Sequence, residues 1–241
     1  MFGDRLRAAF RRGDSDAVVR MSQEELVRAR ATGDRAGEVD ALYSLARVSI
    51  RGGDLASGES LAGEALEAAV RSGDRALEER PRHVLAAVAR LSGDLSRARD
   101  LYRASIALNE SLGNDETVNS EYHNLAFCEL RLGNVAHARD LFAAGREEVF
   151  RRGWEGFVPY VCVAGAALAA TEGDLHRAAR LTGVTDAAFE ALGQVPDPDD
   201  AAELTVARTA AREALGEATF AAEYAYGHTL TPREAFAAEV A

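Results

Sequence analysis

Glycine recurs at a fixed interval along most of this chain. One series is spaced by 40 residues and consists of Gly13, Gly53, Gly93, Gly133 and Gly173. A second series lies halfway between its members and consists of Gly33, Gly73, Gly113, Gly153 and Gly193. Eight of these ten glycines are followed by Asp or Asn. Gly favours the left-handed position that ends a helix, and Asp or Asn favours the N-cap of the next helix. The sequence therefore predicts that a turn joins one helix to the next every 20 residues.

Apolar and small side chains repeat with the same 40-residue period. One column of small residues contains Ala46, Ala86, Ala126 and Ala166. A second small column contains Gly58, Ala98, Ala138 and Ala178. A column of larger residues contains Leu45, Leu85 and Leu125 and is interrupted at Gly165. A helical pair of this length cannot bury its apolar side alone, so successive pairs must stack on one another.

The period predicts two alternating sets of helices. We expect A helices near 35–52, 75–92, 115–132 and 155–172, and B helices near 15–32, 55–72, 95–112, 136–152 and 175–192. The expected fold is all-α, a right-handed α-α superhelix of helix-turn-helix repeats. We expect one solenoid over residues 1–241. Its repeats lie near 1–32, 33–72, 73–112, 113–152 and 153–192, with a helical cap over 193–241. In the cap, helices are expected at 200–215, at 217–226 and from Pro232 onward.

Composition excludes several classes of function. The net charge of −11 disfavours binding to nucleic acid. The chain has no Lys, which excludes Schiff-base chemistry and a phosphate-binding loop lysine. The first residues lack the apolar stretch typical of a signal peptide, and no apolar stretch is long enough for a bilayer. The sequence also shows no motif for a catalytic nucleophile, a metal site or a cofactor loop. We therefore expect a cytoplasmic protein that is not an enzyme, needs no cofactor and does not bind a membrane.

One segment carries the sequence pattern of a repeat family. Asn124-Leu125-Ala126 is followed by Gly133-Asn134, Ala138-Arg139 and Phe142. This pattern resembles a tetratricopeptide repeat (TPR), which has a Leu and a small residue on helix A, Gly at the turn, and Ala then an aromatic residue on helix B. The resemblance implies a binding scaffold whose A helices line a concave groove. The period is longer than the common TPR period of about 34 residues.

The C-terminal region carries a second resemblance. The stretches 173–181, 187–193, 210–216, 220–222 and 227–235 are similar to the final helices of LuxR-type, ATP-dependent transcriptional regulators of actinobacteria, a match that covers roughly residues 173–240. The resemblance implies a sensing or docking role in regulation. Since this chain has neither a glycine-rich phosphate loop nor a DNA-binding helix-turn-helix, it does not imply ATP hydrolysis or DNA recognition.

The resemblance to TPR proteins selects candidate groove residues. With Leu125 taken as the buried reference, the inward positions of the A helices give a binding set that consists of Tyr43, Arg47, Arg80, His83, Arg90, His123, Phe127, Arg131 and Tyr160. Arg is suited to binding carboxylates, and His adds a donor that responds to pH. We expect the groove to bind a protein or peptide segment that is acidic or bears a carboxylate. A second interpretation is that these arginines only cover helix surfaces or pair with Asp and Glu.

Two further possibilities stay open. A small molecule could bind inside the superhelix, and a long apolar cavity around Phe127, Tyr160 and Val163 would favour that function. The N-terminal edge, with Met1, Phe2, Leu6 and Phe10 as apolar residues of an incomplete A helix, lacks the polar cap of a solenoid end. We expect either a homodimer through this edge or a longer parent protein.

Overall fold

A computed structural model describes residues 2–237, and for Phe2 and Asp4 it describes the backbone alone. All regular structure in this part of the chain is helical. The helices are α1 (Phe2–Arg11), α2 (Ser15–Thr32), α3 (Arg35–Arg51), α4 (Leu55–Ser72), α5 (Glu79–Leu91), α6 (Leu95–Leu112), α7 (Asp115–Arg131), α8 (Val135–Arg152), α9 (Val158–Glu172), α10 (Leu175–Leu192), α11 (Pro198–Leu215), α12 (Glu217–His228) and α13 (Pro232–Ala237). The N-terminal edge expected to dimerise includes Met1 and the Phe2 side chain, which lie outside the described residues.

The predicted turns are present at every glycine of both series. All ten glycines have a left-handed backbone, with φ between 60° and 85°. At five of the turns the Asp side chain accepts a hydrogen bond from the amide three residues later, at 2.9–3.1 Å; these residues are Asp14, Asp34, Asp54, Asp94 and Asp174. The hydrogen bond that the backbone N–H of Gly37 donates to Asp34 is the main reason why the pKa of Asp34 lies below its ordinary value. The helix boundaries predicted from these residues are confirmed to within a few residues.

Two A helices begin later than the period predicts. The α-helices expected from about 75 and 155 are preceded by short 3-10 turns, Arg75–Glu78 and Glu155–Phe157, and start at Glu79 and Val158. The reason lies in Pro81 and Pro159. Proline has no amide hydrogen and fits only in the first turn of a helix, so each helix begins just before its proline.

The chain forms two compact units, Met1–Cys128 and Glu129–Ala241. In the first unit, each helix from α1 to α5 packs against the one that follows it, and α3 also contacts α5. In the second unit, α8 packs on α9 and α9 on α10, while α10 contacts α11, α12 and α13. Successive helices therefore form hairpins that bury their apolar sides on neighbouring hairpins, and the all-α helical-repeat class is confirmed. A single solenoid over the full chain stays a prediction.

The columns of small residues lie where the helices approach closely. Ala46, Ala86, Ala126 and Ala166 are all fully buried. At Gly58 an added Cβ would lie 2.7 Å from Ile50 Cγ1, so a larger residue would force Ile50 to move. None of the helices in residues 2–237 combines the length and apolarity that a bilayer crossing requires.

Candidate binding face

Neighbouring A helices of the first unit lie side by side and are linked by polar contacts. Arg80 on α5 pairs with Asp40 on α3, with 2.6 Å between Nη1 and Oδ1. His83 on α5 contacts Glu121 on α7, with 3.1 Å between Nδ1 and Oε1. We call this surface of α3, α5 and residues 115–128 the A-helix face. It is the surface that the TPR resemblance selects for binding.

Tyr43 lies on the A-helix face close to two guanidinium groups. The guanidinium carbon of Arg47 is 5.4 Å from the centre of the Tyr43 ring, and that of Arg80 is 5.6 Å from it. Arg47 also lies over the buried ring of Phe10, at 3.6 Å, and Arg51 lies over the same ring at 3.7 Å. Cation–π contacts of this kind hold rings and guanidinium groups in defined positions. Tyr43 and Arg47 are half-buried, so part of each side chain remains at the surface.

His83 connects the A-helix face to a buried carboxylate. The His83 side chain is 29% exposed, whereas Glu121 has no exposed area. The hydroxyl of Ser105 donates a hydrogen bond of 2.9 Å to the same carboxylate oxygen, Oε1. In the described residues the other oxygen, Oε2, is buried and has no hydrogen-bond partner. Because the Ser105 proton goes to a carboxylate rather than to an imidazole nitrogen, this group is not arranged as a catalytic triad.

Three candidate residues lie deeper in the first unit. Phe127 is fully buried, and the exposed fractions of Arg90 and His123 are only 6% and 7%. The guanidinium carbon of Arg90 is 5.0 Å from the Phe127 ring centre, and the His123 ring is edge-on to Phe127 with centroids 5.0 Å apart. These residues form a packed cluster and offer little surface to a ligand.

The other two candidates belong to the second unit. Arg131 donates through Nε to Glu203 on α11, at 3.0 Å, and also through Nη2. Tyr160 packs against Phe157 and Phe189, with 5.3 Å between ring centres in both pairs. The ion pairs of Arg131 and Arg80 are those that the second interpretation of the arginines expects.

Of the nine candidates, four share the partly accessible A-helix face. We call Tyr43, Arg47, Arg80 and His83 the surface row. It combines an aromatic ring, two guanidinium groups and an imidazole on adjacent helices. Such a group can bind a carboxylate through charged hydrogen bonds while the ring contacts an apolar part of the same ligand.

Partners of the surface row were not identified from the sequence. Asp40 and Glu121 hold Arg80 and His83, and Phe10 on α1 packs under Arg47. A signal existed for Asp40, because it lies one period before Arg80 and the two charges are opposite. There was no comparable signal for Phe10, since α1 belongs to an incomplete repeat.

The described residues have few groups suited to metal or covalent chemistry. Within residues 2–237 no group of three or more His, Cys, Asp or Glu residues is arranged to hold a metal ion. Burial raises the pKa of the Cys162 thiol to about 12, so this thiol stays protonated and is a poor nucleophile at neutral pH.

Neither a protein-family model nor a curated protein matches this sequence. Solved structures do share its fold. A Rap protein in complex with Competence and Sporulation Factor aligns with a TM-score of 0.67 and 12% identity, over 93% of this chain and 70% of that one. BtubC (BKLC) from P. vanneervenii aligns with a TM-score of 0.59 and 20% identity, over 93% of this chain and 92% of that one. At these identities the likeness shows the fold alone, an all-helical repeat of the TPR-like kind.

Proposed function

We propose that this protein is a non-catalytic scaffold that binds a protein or peptide segment on the A-helix face of its first unit. The observation that carries the proposal is the surface row, in which Tyr43 lies beside Arg47 and Arg80 on two neighbouring helices. The contacts with Phe10 and Asp40 hold both guanidinium groups in place before a ligand arrives. A site whose side chains are already ordered loses less conformational entropy on binding.

The chemistry of the surface row favours a carboxylate-bearing segment. Two guanidinium groups, those of Arg47 and Arg80, lie beside the Tyr43 ring on a chain whose net charge is −11. In a cation–π contact the guanidinium uses its face, and its N–H groups point outward along its edge, where a carboxylate can accept two parallel bonds.

Two likenesses support this proposal. A Rap protein of similar fold has been solved with Competence and Sporulation Factor bound, so a helical repeat of this kind can hold a bound factor. The similarity of residues 173–240 to the C-terminal helices of LuxR-type regulators supports a role in regulation. The proposed role is that of a regulatory binding module that acts in the cytoplasm.

A display library of short random peptides tests the proposal. Peptides selected on the protein are expected to be rich in Asp, Glu or a free C-terminal carboxylate. Their affinity is expected to fall at least about tenfold for the double variant Tyr43→Ala, Arg47→Ala, because both an aromatic contact and a guanidinium are lost. Affinity is measured by fluorescence anisotropy, and circular dichroism checks that the variant is folded.

The matched control is Arg71→Ala, which removes an exposed arginine on α4 that pairs only with Glu67 in its own helix among the contacts described. This control is expected to leave peptide affinity unchanged. Selected peptides that lack carboxylate enrichment, or that bind the double variant and the wild-type protein equally well, would contradict the proposal.

A further inference from the structure

One layer of the core of the first unit is polar. It consists of Tyr102, Ser105 and Asn109 on α6 and of Glu121 and Asn124 on α7, and we call it the polar layer. All five residues are at most 4% exposed. The matching residues one period earlier are apolar; they are Ala62, Ala65, Ala69, Pro81 and Val84. Polar groups in such positions cost free energy unless they are hydrogen-bonded, so each of their atoms needs a partner.

Several atoms of the polar layer find partners within the protein. The Ser105 hydroxyl donates to Glu121 Oε1 at 2.9 Å, and His83 Nδ1 lies 3.1 Å from the same oxygen. The Asn124 side-chain amide donates through Nδ2 to the backbone carbonyl of Ser120 at 3.1 Å. The layer therefore lies directly beneath the A-helix face, to which His83 connects it.

Two oxygens of the polar layer have no hydrogen-bond partner among the groups of residues 2–237. They are Glu121 Oε2 and Asn124 Oδ1, and both are buried. The two residues are three positions apart on α7, so their side chains lie on the same side of the helix. That side faces the preceding hairpin, because Val84, which matches Asn124, packs in one cluster with Ala46 and Ala62 of the hairpin before it. A buried acceptor without a hydrogen bond is costly, and a carboxylate oxygen is more costly than a neutral one.

We propose that the polar layer encloses a water molecule that bridges the carboxylate of Glu121 and the amide of Asn124. Both oxygens are acceptors, and one water molecule has the two O–H donors that they need. Buried waters in globular proteins make about two to four hydrogen bonds, chiefly to polar groups that have no other partner. A metal ion fits less well, since within residues 2–237 no group of three or more His, Cys, Asp or Glu residues is arranged to hold one. The water leaves Glu121 Oε1 to His83 and Ser105, and so supports the imidazole on the A-helix face.

Two measurements on the full chain test this inference. A crystal structure at a resolution that shows ordered waters is expected to have a density peak at about 2.5–3.0 Å from both Glu121 Oε2 and Asn124 Oδ1. Oxygen-17 magnetic relaxation dispersion counts the waters that stay inside a protein for longer than the protein takes to tumble. The enclosed water is expected to contribute to that count in solution.

Variants assign the water to its site. Asn124→Leu replaces the amide with two methyl groups of similar placement, so it removes one acceptor and fills the space of the water. It is expected to lose one long-lived water and the density peak. Thr185→Val is the matched control, because Thr185 is also fully buried but its hydroxyl already donates to the Leu181 carbonyl at 2.7 Å. It is expected to keep the count of the wild-type protein, and circular dichroism checks that both variants are folded.

Three outcomes would overturn the inference. The first is a crystal structure of the wild-type protein with no peak between the two oxygens. The second is an equal number of long-lived waters in the wild-type protein and a folded Asn124→Leu variant. The third is a direct hydrogen bond between Glu121 and Asn124, which requires a protonated carboxyl group and would give an infrared carboxylic-acid band that Glu121→Gln removes. None of these measurements uses a peptide, so their outcome is independent of the proposed function.

Discussion

His83 and Glu121 show how a surface residue of the A-helix face depends on a residue beneath it. The partly exposed imidazole of His83 on α5 contacts a buried carboxylate oxygen of Glu121 on α7. We predict that His83→Ala lowers the free energy of unfolding by about 1–3 kcal/mol, because the buried carboxylate loses one of its hydrogen-bond partners. Urea denaturation followed by circular dichroism measures the change.

The control for this variant is His137→Ala. The His137 side chain is 54% exposed and its Nδ1 lies 3.9 Å from Glu129 Oε2, which is beyond hydrogen-bond distance. This change is expected to cost no more than about 0.5 kcal/mol. Equal losses for the two histidine variants would show that the contact between His83 and Glu121 contributes little.

Tyr224 provides a test of stability against pH. Its hydroxyl donates to Asp186 Oδ2 at 2.8 Å, and burial, followed by that carboxylate, raises the pKa of Tyr224 to about 12 from 10. A raised pKa means that folding favours the neutral phenol. Its contribution is therefore complete below about pH 10 and is lost as the pH rises toward 12.

We predict that the stability advantage of the wild-type protein over Tyr224→Phe shrinks between pH 10 and 12 and is constant from pH 7 to 9. Denaturation at each pH measures the difference, and absorbance at the tyrosinate band follows the ionisation directly. A difference that stays the same up to pH 12 would contradict the assigned contact.

Single residues also explain which parts of the binding face could be predicted. Tyr43, Arg47, Arg80 and His83 share one surface, since register along a helix fixes the direction of a side chain; their role in binding, which the TPR resemblance selected them for, stays a prediction. Burial could not be predicted in the same way. Phe127 is one period after Ala87 and two after Arg47, yet it is fully buried, since exposure depends on the helix that packs over each position.

At the scale of helices, the glycine and aspartate turns were sufficient to predict nearly all elements. Two kinds of feature were missed. The late starts of α5 and α9 depend on Pro81 and Pro159, which interrupt a pattern that the period alone treats as continuous. Phe236 packs closely against Gly165 from α13, a helix outside the repeat. A contact between helices that are far apart in the sequence cannot be predicted from the spacing of neighbouring repeats.

The packing of α10 on α12 shows another such contact. Gly183 and Gly227 face the backbone of the opposite helix, and a Cβ added to Gly183 would overlap the carbonyl oxygen of Tyr224. A Cβ on Gly227 would likewise overlap the carbonyl oxygen of Arg180. These atoms belong to the backbone and cannot move aside as a flexible side chain can. The two glycines therefore set how closely the helices approach.

We predict that Gly183→Ala lowers the free energy of unfolding by about 1–3 kcal/mol or more, because the two helices must separate. Gly63→Ala is the control, since Gly63 is inside α4 and has no atom near an added Cβ. There the substitution is expected to stabilise the protein by about 0.5–1 kcal/mol through higher helix propensity. Chemical denaturation of both variants measures the contrast, and a loss at both sites or at neither would contradict the packing.

At the scale of the whole molecule, the constant period makes a repeat removable. Gly53-Asp54-Leu55 and Gly93-Asp94-Leu95 are identical turns one period apart. Deletion of residues 55–94 joins Asp54 directly to Leu95 and recreates the same turn. It brings α3 next to α6 in place of α4. Because Gly58 contacts Ile50, the deletion is combined with Ala98→Gly to keep a small residue at that position.

We predict that this shortened protein keeps its helical content per residue and unfolds as sharply as the wild-type protein does, since each hairpin packs chiefly on its neighbours. The control starts at the same residue but removes residues 55–88, a deletion of about 34 residues that matches the common TPR length rather than the period of this chain. It joins Asp54 to the last turn of α5, so the six residues 89–94 separate the turn at Gly53 from α6 and α6 no longer follows α3 through a single tight turn. Circular dichroism and thermal melts should show lower helicity and a broad transition for the control. If both deletions behave alike, the 40-residue period does not determine how the helices pack.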